Sequence, residues 1–343
     1  MTDCVLHINN HRYSWPFHAL QHHTGEFERT IWTYLNEWFT QDEFEVMTSG
    51  STGAPKVIRH QKSAIVWSAT STAKALQLQP KTNALCCLPI EKIAGRMMLY
   101  RAIINNWELT LRTPSGMPFI ADDQFDFVAL TPFQATKTVQ AMPSVFNHIG
   151  NVILGGAQVL DTLAIALKPF SCAVWETYGM TETISHVALK QLQPLRQTRF
   201  YALPDVKLTT NAEDQLLIDA PHLSAQLETN DIVHLVDEQS FELLGRKDDV
   251  INSGGIKLFP HTIEAKLAGS IEERFFITKS SDEALGEVVT MVIESAPWNE
   301  ERKAQLTDHF AKQLDKFERP RKITFQSAFS ETDTGKIIRK LPS

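Results

Sequence analysis

The segment Phe44-Glu45-Val46-Met47-Thr48-Ser49-Gly50-Ser51-Thr52-Gly53-Ala54-Pro55-Lys56 joins a short apolar stretch to a loop rich in glycine and hydroxyl side chains. Phe44 to Thr48 reads as a strand, and the residues after it read as a turn-rich loop. Pro55 argues against a helix starting on Lys56. An alanine-rich segment from about Lys62 to Leu78 then reads as a helix. This order of strand, loop and helix begins an alternation that continues downstream. Leu85 to Leu88, Phe127 to Leu130 and Val152 to Leu154 are short apolar strand candidates, and a helical segment around Phe133 to Gln140 separates the last two. Short strands alternating with helices predict an α/β core. Upstream, Phe27, Ile31, Trp32, Leu35, Trp38 and Phe39 recur at helical spacing, which predicts a helix whose apolar stripe faces that core.

The pattern changes after Leu203. Val206 to Leu208, Leu216 to Ile218, Ile232 to Val236 and Phe241 to Leu244 are strand-like with polar turns between, and predict a small antiparallel unit. Gly245-Arg246-Lys247-Asp248-Asp249 interrupts it. Beyond lie a helix near Pro260 to Leu267, strands near Phe275 to Thr278 and Glu287 to Ile293, a helix from about Asn299 to Leu314 and a strand at Lys322 to Gln326. Mixed α+β of this length fits a second compact domain. The expected division is 1–245 and 246–343, in keeping with about two domains for a chain of 343 residues.

Composition narrows the function classes. Apolar residues make up 43% and charged residues 21%, an ordinary globular balance. The net charge is −7, which disfavours a nucleic-acid binder or a protein held to anionic membranes. No apolar stretch is long enough to span a bilayer, and the first residues show no secretory signal pattern. The cysteines Cys4, Cys86, Cys87 and Cys172 form no Cys-x-x-Cys pair, so neither a zinc site nor a disulfide framework is indicated and a reducing cytoplasm is expected.

Four stretches carry chemistry. In the first, Ser49, Ser51 and Thr52 supply hydroxyls, Gly50 and Gly53 let backbone N–H groups approach an anion, and Lys56 adds charge. This suits a polyphosphate, although the loop is not a Walker A sequence and also reads as a surface turn. In the second, Glu176-Thr177-Tyr178-Gly179-Met180-Thr181-Glu182, Tyr178 can stack on a base, Thr181 can bond a phosphate and Glu182 can hold Mg²⁺. Taken alone, the stretch reads equally as a helix start capped by Thr181. The third is Asp231 with Arg246, a carboxylate and a guanidinium able to share the hydroxyls of a ribose. The fourth is Thr332-Asp333-Thr334-Gly335-Lys336-Ile337-Ile338-Arg339, a lysine on a glycine turn that by itself reads as a solvated basic tail.

Together, these blocks in this order resemble the ANL family of adenylating enzymes, which includes acyl-CoA synthetases, adenylation domains of peptide synthetases and luciferases. The resemblance runs from about Phe44 to the end. Ser49 to Lys56 matches the family's phosphate loop, Tyr178 to Glu182 its Tyr-Gly-x-Thr-Glu motif, Gly245 to Asp249 with Ser253-Gly254-Gly255 its hinge block, and Thr334 to Arg339 its C-terminal lysine block. The resemblance implies a large N-terminal α/β domain with a β-rich part and a small mobile α+β domain. It implies ATP, Mg²⁺ and coenzyme A as cofactor and co-substrates. Thr48, Ser49, Gly50, Ser51, Thr52, Gly53 and Lys56 would cradle the ATP phosphates. Gly155, Gly156 and Ala157 would lie along the adenine and acyl pocket. Tyr178 would stack the adenine, Thr181 would touch the α-phosphate, Glu182 would bind Mg²⁺, and Asp231 and Arg246 would hold the ribose. Asp248 would be the hinge and Lys336 the lysine of adenylation. A carboxylate attacking an α-phosphate meets like charge, and a bridging lysine offsets it. The same lysine would then obstruct a thiol, which explains a rotating small domain.

The sequence departs from the family at several points. Most members are much longer, and the part before the phosphate loop is reduced here. Leu88-Pro89-Ile90-Glu91-Lys92-Ile93-Ala94-Gly95 carries lysine where the family commonly has histidine, and Glu331-Thr332-Asp333 lacks the usual proline. The segment with Lys92, Arg96 and Arg101 would flank the acyl pocket, where basic groups suit a substrate with a second carboxylate; the same charges also fit a solvated helix face. Compact members with such a block resemble 2-succinylbenzoate–CoA ligases of menaquinone synthesis. Two other readings remain open at this stage: another acyl- or aryl-CoA ligase or carrier-loading enzyme, and a non-catalytic nucleotide-binding protein.

Overall fold

The computed structural model describes residues 3–9, 11–47, 56–330 and 337–341. The chain begins with β1 (Val5–Ile8), β2 (His11–Ser14), α1 (Glu26–Thr40), the pair β3 (Glu43–Met47) and β4 (Val57–Gln61), and α2 (Lys62–Ala75). It continues through β5 (Asn83–Cys86), α3 (Ile93–Asn105), β6 (Glu108–Leu111), β7 (Phe125–Leu130), α4 (Pro132–Ala141), β8 (Ile149–Leu154), α5 (Asp161–Leu167) and β9 (Ala173–Gly179). Strands β10 (His186–Gln193), β11 (Phe200–Ala202), β12 (Lys207–Thr210), β13 (Gln215–Asp219), β14 (Leu227–Asp237) and β15 (Ser240–Arg246) follow. The last elements are β16 (Ile251–Ser253), β17 (Ile256–Leu258), α6 (Pro260–Leu267), β18 (Phe275–Asp282), β19 (Gly286–Glu294), α7 (Glu300–Gln313) and β20 (Lys322–Gln326).

Among the described residues, a 13-stranded sheet runs in the order β12-β13-β14-β15-β11-β10-β9-β8-β7-β5-β6-β1-β2. From β1 to β9 the neighbours are parallel, and from β9 to β12 they are antiparallel. The parallel part is covered on both faces. Ala84, Cys86, Phe127, Ala129 and Ile153 face one core with α2 and α3. Leu85, Cys87, Val128, Leu130, Val152 and Leu154 face the other with α4 and α5. Burial on both faces is why these strands read as continuous apolar runs. Strand order reverses at β5, between β6 and β7, so the carboxyl ends of β5, β7, β8 and β9 open onto the crevice where α/β sheets bind ligands.

The β-rich stretch after Leu203 pairs antiparallel, as expected, and is continuous with the main sheet. β11 pairs with β10 and β15, so these strands prolong the main sheet. A strand the periodicity did not predict, β4, stands between the glycine-rich loop and α2, with Val57 opposite Met47. Strands β16 to β20 form a second sheet, with a core of Ile251, Ile263, Ile277, Met291 and Phe310. No helix among the described residues is long and apolar enough to cross a membrane. All four cysteines are free and buried.

Candidate active site

Of the residues singled out from sequence, Thr48, Ser49, Gly50, Ser51, Thr52 and Gly53 lie outside the described residues, as does Lys336. Lys56 is described, exposed, just before β4. Gly155, Gly156, Ala157, Tyr178, Thr181 and Glu182 lie at the carboxyl ends of the parallel strands, with Asp231 and Arg246 in the antiparallel strands beside them.

Gly155-Gly156-Ala157 leaves β8 directly. The Gly155 N–H donates to the Leu130 carbonyl at 3.1 Å, which clips the end of β8 to the end of β7. A Cβ on Gly155 would lie 2.6 Å from Thr177 Oγ1, and Gly156 has φ +84°, so both positions need glycine. The floor of the crevice is therefore bare backbone.

Beside it, Met180 to Ser185 forms the turn between β9 and β10, so Thr181 does not begin a helix. Gly179 sits so close to the returning strand that a Cβ would lie 2.2 Å from the Ser185 carbonyl oxygen. The Thr183 hydroxyl accepts from the Met180 N–H at 2.9 Å and donates to the Ser185 carbonyl at 2.7 Å. Buried Ile184 has φ +68°, a costly conformation for a β-branched residue that the surrounding bonds must hold. Thr181 is half-buried and Glu182 exposed at the tip.

Tyr178 donates its hydroxyl to Asp231 Oδ2 at 2.6 Å. Phe241 and Phe200 pack against its ring at centroid distances of 5.0 and 5.8 Å. Burial first, and then the Asp231 carboxylate, push the phenol well above its ordinary pKa, so it stays a neutral donor. Asp231 on β14 lies directly opposite Arg246 on β15. The structure thus brings Tyr178, Asp231 and Arg246 together. The sequence offered no signal for the bond between the first two, whose residues are far apart in the chain.

The basic block divides sharply. Lys92 is exposed at the start of α3. One Arg96 guanidinium nitrogen donates to the Glu45 carbonyl at 2.8 Å, its plane lies 4.0 Å over the Tyr34 ring, and its Nε is buried without a partner. Part of its polar face is thus taken up by β3 and α1. Arg101 lies deeper, against the β9–β10 turn. It is 2% exposed, donates to Ser185 Oγ at 2.6 Å, and leaves Nε without a partner. Burial lowers its pKa to about 10, and no carboxylate stands among the causes of that shift. The Ser185 hydroxyl also lies 3.3 Å from Nδ1 of buried His186. His186 Nε2 meets the Thr72 hydroxyl at 3.1 Å, and that hydroxyl donates to the Ser68 carbonyl.

Asp248 occupies a 3-10 turn, Lys247–Asp249, between the last strand of the first sheet and the first strand of the second. Its side chain accepts from Asn230 Nδ2 at 2.5 Å, and its carbonyl accepts from Lys279 at 3.2 Å. Arg339, from the same block as Lys336, makes a bidentate pair with half-buried Glu264 on α6 at 2.6 and 2.8 Å. Across to the first sheet, His261 Nδ1 meets Gln158 Oε1 at 2.5 Å.

Residues 44–212 match the AMP-binding enzyme family. The crystal structure of an acyl-CoA synthetase (AMP-forming)/AMP-acid ligase II-like protein from Dyadobacter fermentans is 34% identical, with 92% of this chain and 93% of that one covered and a TM-score of 0.63. The 2-succinylbenzoate–CoA ligase of Oceanobacillus iheyensis is 25% identical over 91% of this chain and 72% of its own length. The O-succinylbenzoate coenzyme A synthetase of Bacillus subtilis, solved with ATP and magnesium ion, shares the fold at a TM-score of 0.72 and 19% identity over 85% of this chain and 68% of that one.

Proposed function

The chain belongs to the AMP-binding enzyme family, and we propose that it activates an aromatic dicarboxylic acid, 2-succinylbenzoate, as its acyl adenylate and transfers the acyl group to coenzyme A. The single observation that carries the choice of acid is Arg101. A fully buried guanidinium with only neutral acceptors around it is costly, and a second carboxylate on the substrate would supply the missing anion. A fatty-acid pocket has no use for such a group. The names of the curated relatives support the same acid.

In the first half-reaction a carboxylate oxygen attacks the α-phosphorus of ATP. An O–P bond forms, and pyrophosphate leaves with the electrons of the broken bond. In the second, the coenzyme A sulfur attacks the acyl carbon, and AMP leaves. Tyr178 and the glycine-floored segment Gly155-Gly156-Ala157 would flank the adenine. Asp231, oriented by the Tyr178 hydroxyl, would take the ribose with Arg246. Thr181 would bond the α-phosphate. The segment Thr48 to Gly53, with Lys56, would hold the outer phosphates, and Lys336 would bridge the reacting anions.

The residues fit a magnesium ion brought in by the nucleotide. Glu182 and Thr181 offer hard oxygen donors side by side, while no cluster among the described residues would hold a metal by itself. Bound there, Mg²⁺ would offset the charge of the phosphates. We assign 1–245 to the adenylation domain and 246–343 to a domain that turns about Asp248 between the half-reactions. A cytoplasmic location accompanies ATP and coenzyme A as co-substrates.

The test is initial AMP release with coenzyme A across a panel of acids. 2-Succinylbenzoate should exceed benzoate and medium-chain fatty acids. Arg101→Met should cut that preference about tenfold to a hundredfold, the worth of one charged hydrogen-bonded partner, and should affect a monocarboxylate less. A fatty acid that outran every dicarboxylate would overturn the assignment of the acid.

A further inference from the structure

Two histidines outside the matched motifs, His60 buried and His222 half-buried, converge on the β9–β10 turn. His60 lies on β4, the strand that leaves the glycine- and hydroxyl-rich segment, and its Nε2 stands 2.7 Å from the Thr181 carbonyl oxygen. His222 follows β13, and its Nε2 stands 3.2 Å from the Thr183 carbonyl oxygen. A carbonyl only accepts, so both rings carry their proton on Nε2. Glu182 is the one residue between these anchored carbonyls.

We propose that His60 and His222 are positioning residues that fix Thr181 and Glu182 for Mg–ATP by holding the carbonyls on either side of Glu182. This rests on reading the turn as part of the nucleotide site. The turn needs such anchors, because Ile184 is held in a left-handed conformation that an unsupported loop would relax. The two anchors come from separate parts of the chain. His60 ties the turn to β4, the strand that follows the expected phosphate loop in the chain. His222 is itself fixed, since the Trp67 ring of α2 stacks on it at 4.2 Å and 16°. Its Nδ1 is buried without a partner, a cost that marks the ring as placed for its single bond to the turn. Burial holds both rings neutral, His222 near a pKa of about 4.

The experiment is calorimetric Mg–ATP binding to the full chain, with KM and kcat for pyrophosphate release measured beside it. His60→Leu should weaken Mg–ATP binding about threefold to tenfold, the range expected for one neutral hydrogen bond, and KM for Mg–ATP should rise in step. His60→Gln restores an N–H at a similar reach and should recover most of that loss. His222→Gln should behave like the wild type and His222→Leu like His60→Leu, which keeps the test open if one variant folds poorly. A purely structural role would lower the melting temperature alike for Leu and Gln and leave Mg–ATP affinity unchanged, and that result overturns the proposal. A wild-type chain that turned over acids normally while the Leu variants kept full affinity would overturn this inference alone. A wild-type chain that bound no Mg–ATP would overturn the nucleotide site itself.

Discussion

The turn from Met180 to Ser185 and the link from Lys247 to Asp249 are both short connections that carry residues assigned to the reaction, yet they are built in opposite ways. The turn is held from inside. Buried groups on β4 and α3 and a half-buried one on the loop after β13 bond its carbonyls and its Ser185 hydroxyl, and Gly179 lets the two strands close on one another. The link is held from outside. Lys247 reaches Glu213 at 2.5 Å and Asp248 reaches Asn230, through exposed side chains that water can replace. Buried, directional bonds define one geometry, whereas exposed ones can be exchanged between geometries. The turn is suited to staying in place, and the link to moving.

Breaking the turn should give the larger effect. Gly179→Ala sets a methyl group against backbone that cannot step aside, 2.2 Å from the Ser185 oxygen. The variant should lose about 1–3 kcal/mol or more of stability, read as a drop in thermal midpoint, and should bind Mg–ATP poorly even when folded. Restricting the link should spare folding and separate the half-reactions. Asp248→Pro fixes φ at the assigned pivot. Pyrophosphate release without coenzyme A should persist, while thioester formation slows by on the order of tenfold, as when a hinge limits turnover. Normal thioester formation would remove Asp248 from that role.

The smallest effect separates the two regions by pH. His60, His186 and His222 all have their pKa lowered, first by burial; His186 also faces Arg101, His222 faces His60, and Glu182 acts on His60 in the opposite direction. The unfolded chain binds protons on these rings near pH 6.5, and the folded chain does so only at lower pH, about 4 for His222. Stability is therefore full above about pH 6.5 and drains as pH falls toward 4. Equilibrium unfolding at pH 7 and pH 5 should show the loss, and His222→Gln should reduce it. The exposed link should respond to salt instead.

What could be read from the sequence follows the same division. Helices and doubly buried strands were legible, because α1, α2, α4 and β7 each carry their own periodicity or apolar run. β9 was not, since Trp175, Glu176 and Thr177 break an apolar run, and β10 to β15 gave no sign of joining the main sheet, because pairing between distant strands leaves no local mark. The motif residues Tyr178, Asp231 and Arg246 were found as types, but their meeting depends on register. Arg96 and Arg101 looked equivalent on one helix. Only the fold shows that a carbonyl on β3 and the Tyr34 ring occupy the first, while the second faces Ser185 without an anion.

The central claim is that an acyl adenylate forms here and depends on Lys336. The most direct measurement is a single-turnover reaction of the full chain with 2-succinylbenzoate and Mg–ATP, coenzyme A withheld, with the adenylate and pyrophosphate quantified for wild type and Lys336→Ala. The wild type should form adenylate and pyrophosphate in equal amounts. Lys336→Ala should slow that step by on the order of 10²–10³, as for loss of an electrostatic stabiliser, yet convert supplied adenylate to thioester far more normally. ATP turnover without adenylate, or an equal loss in both half-reactions, would contradict the account.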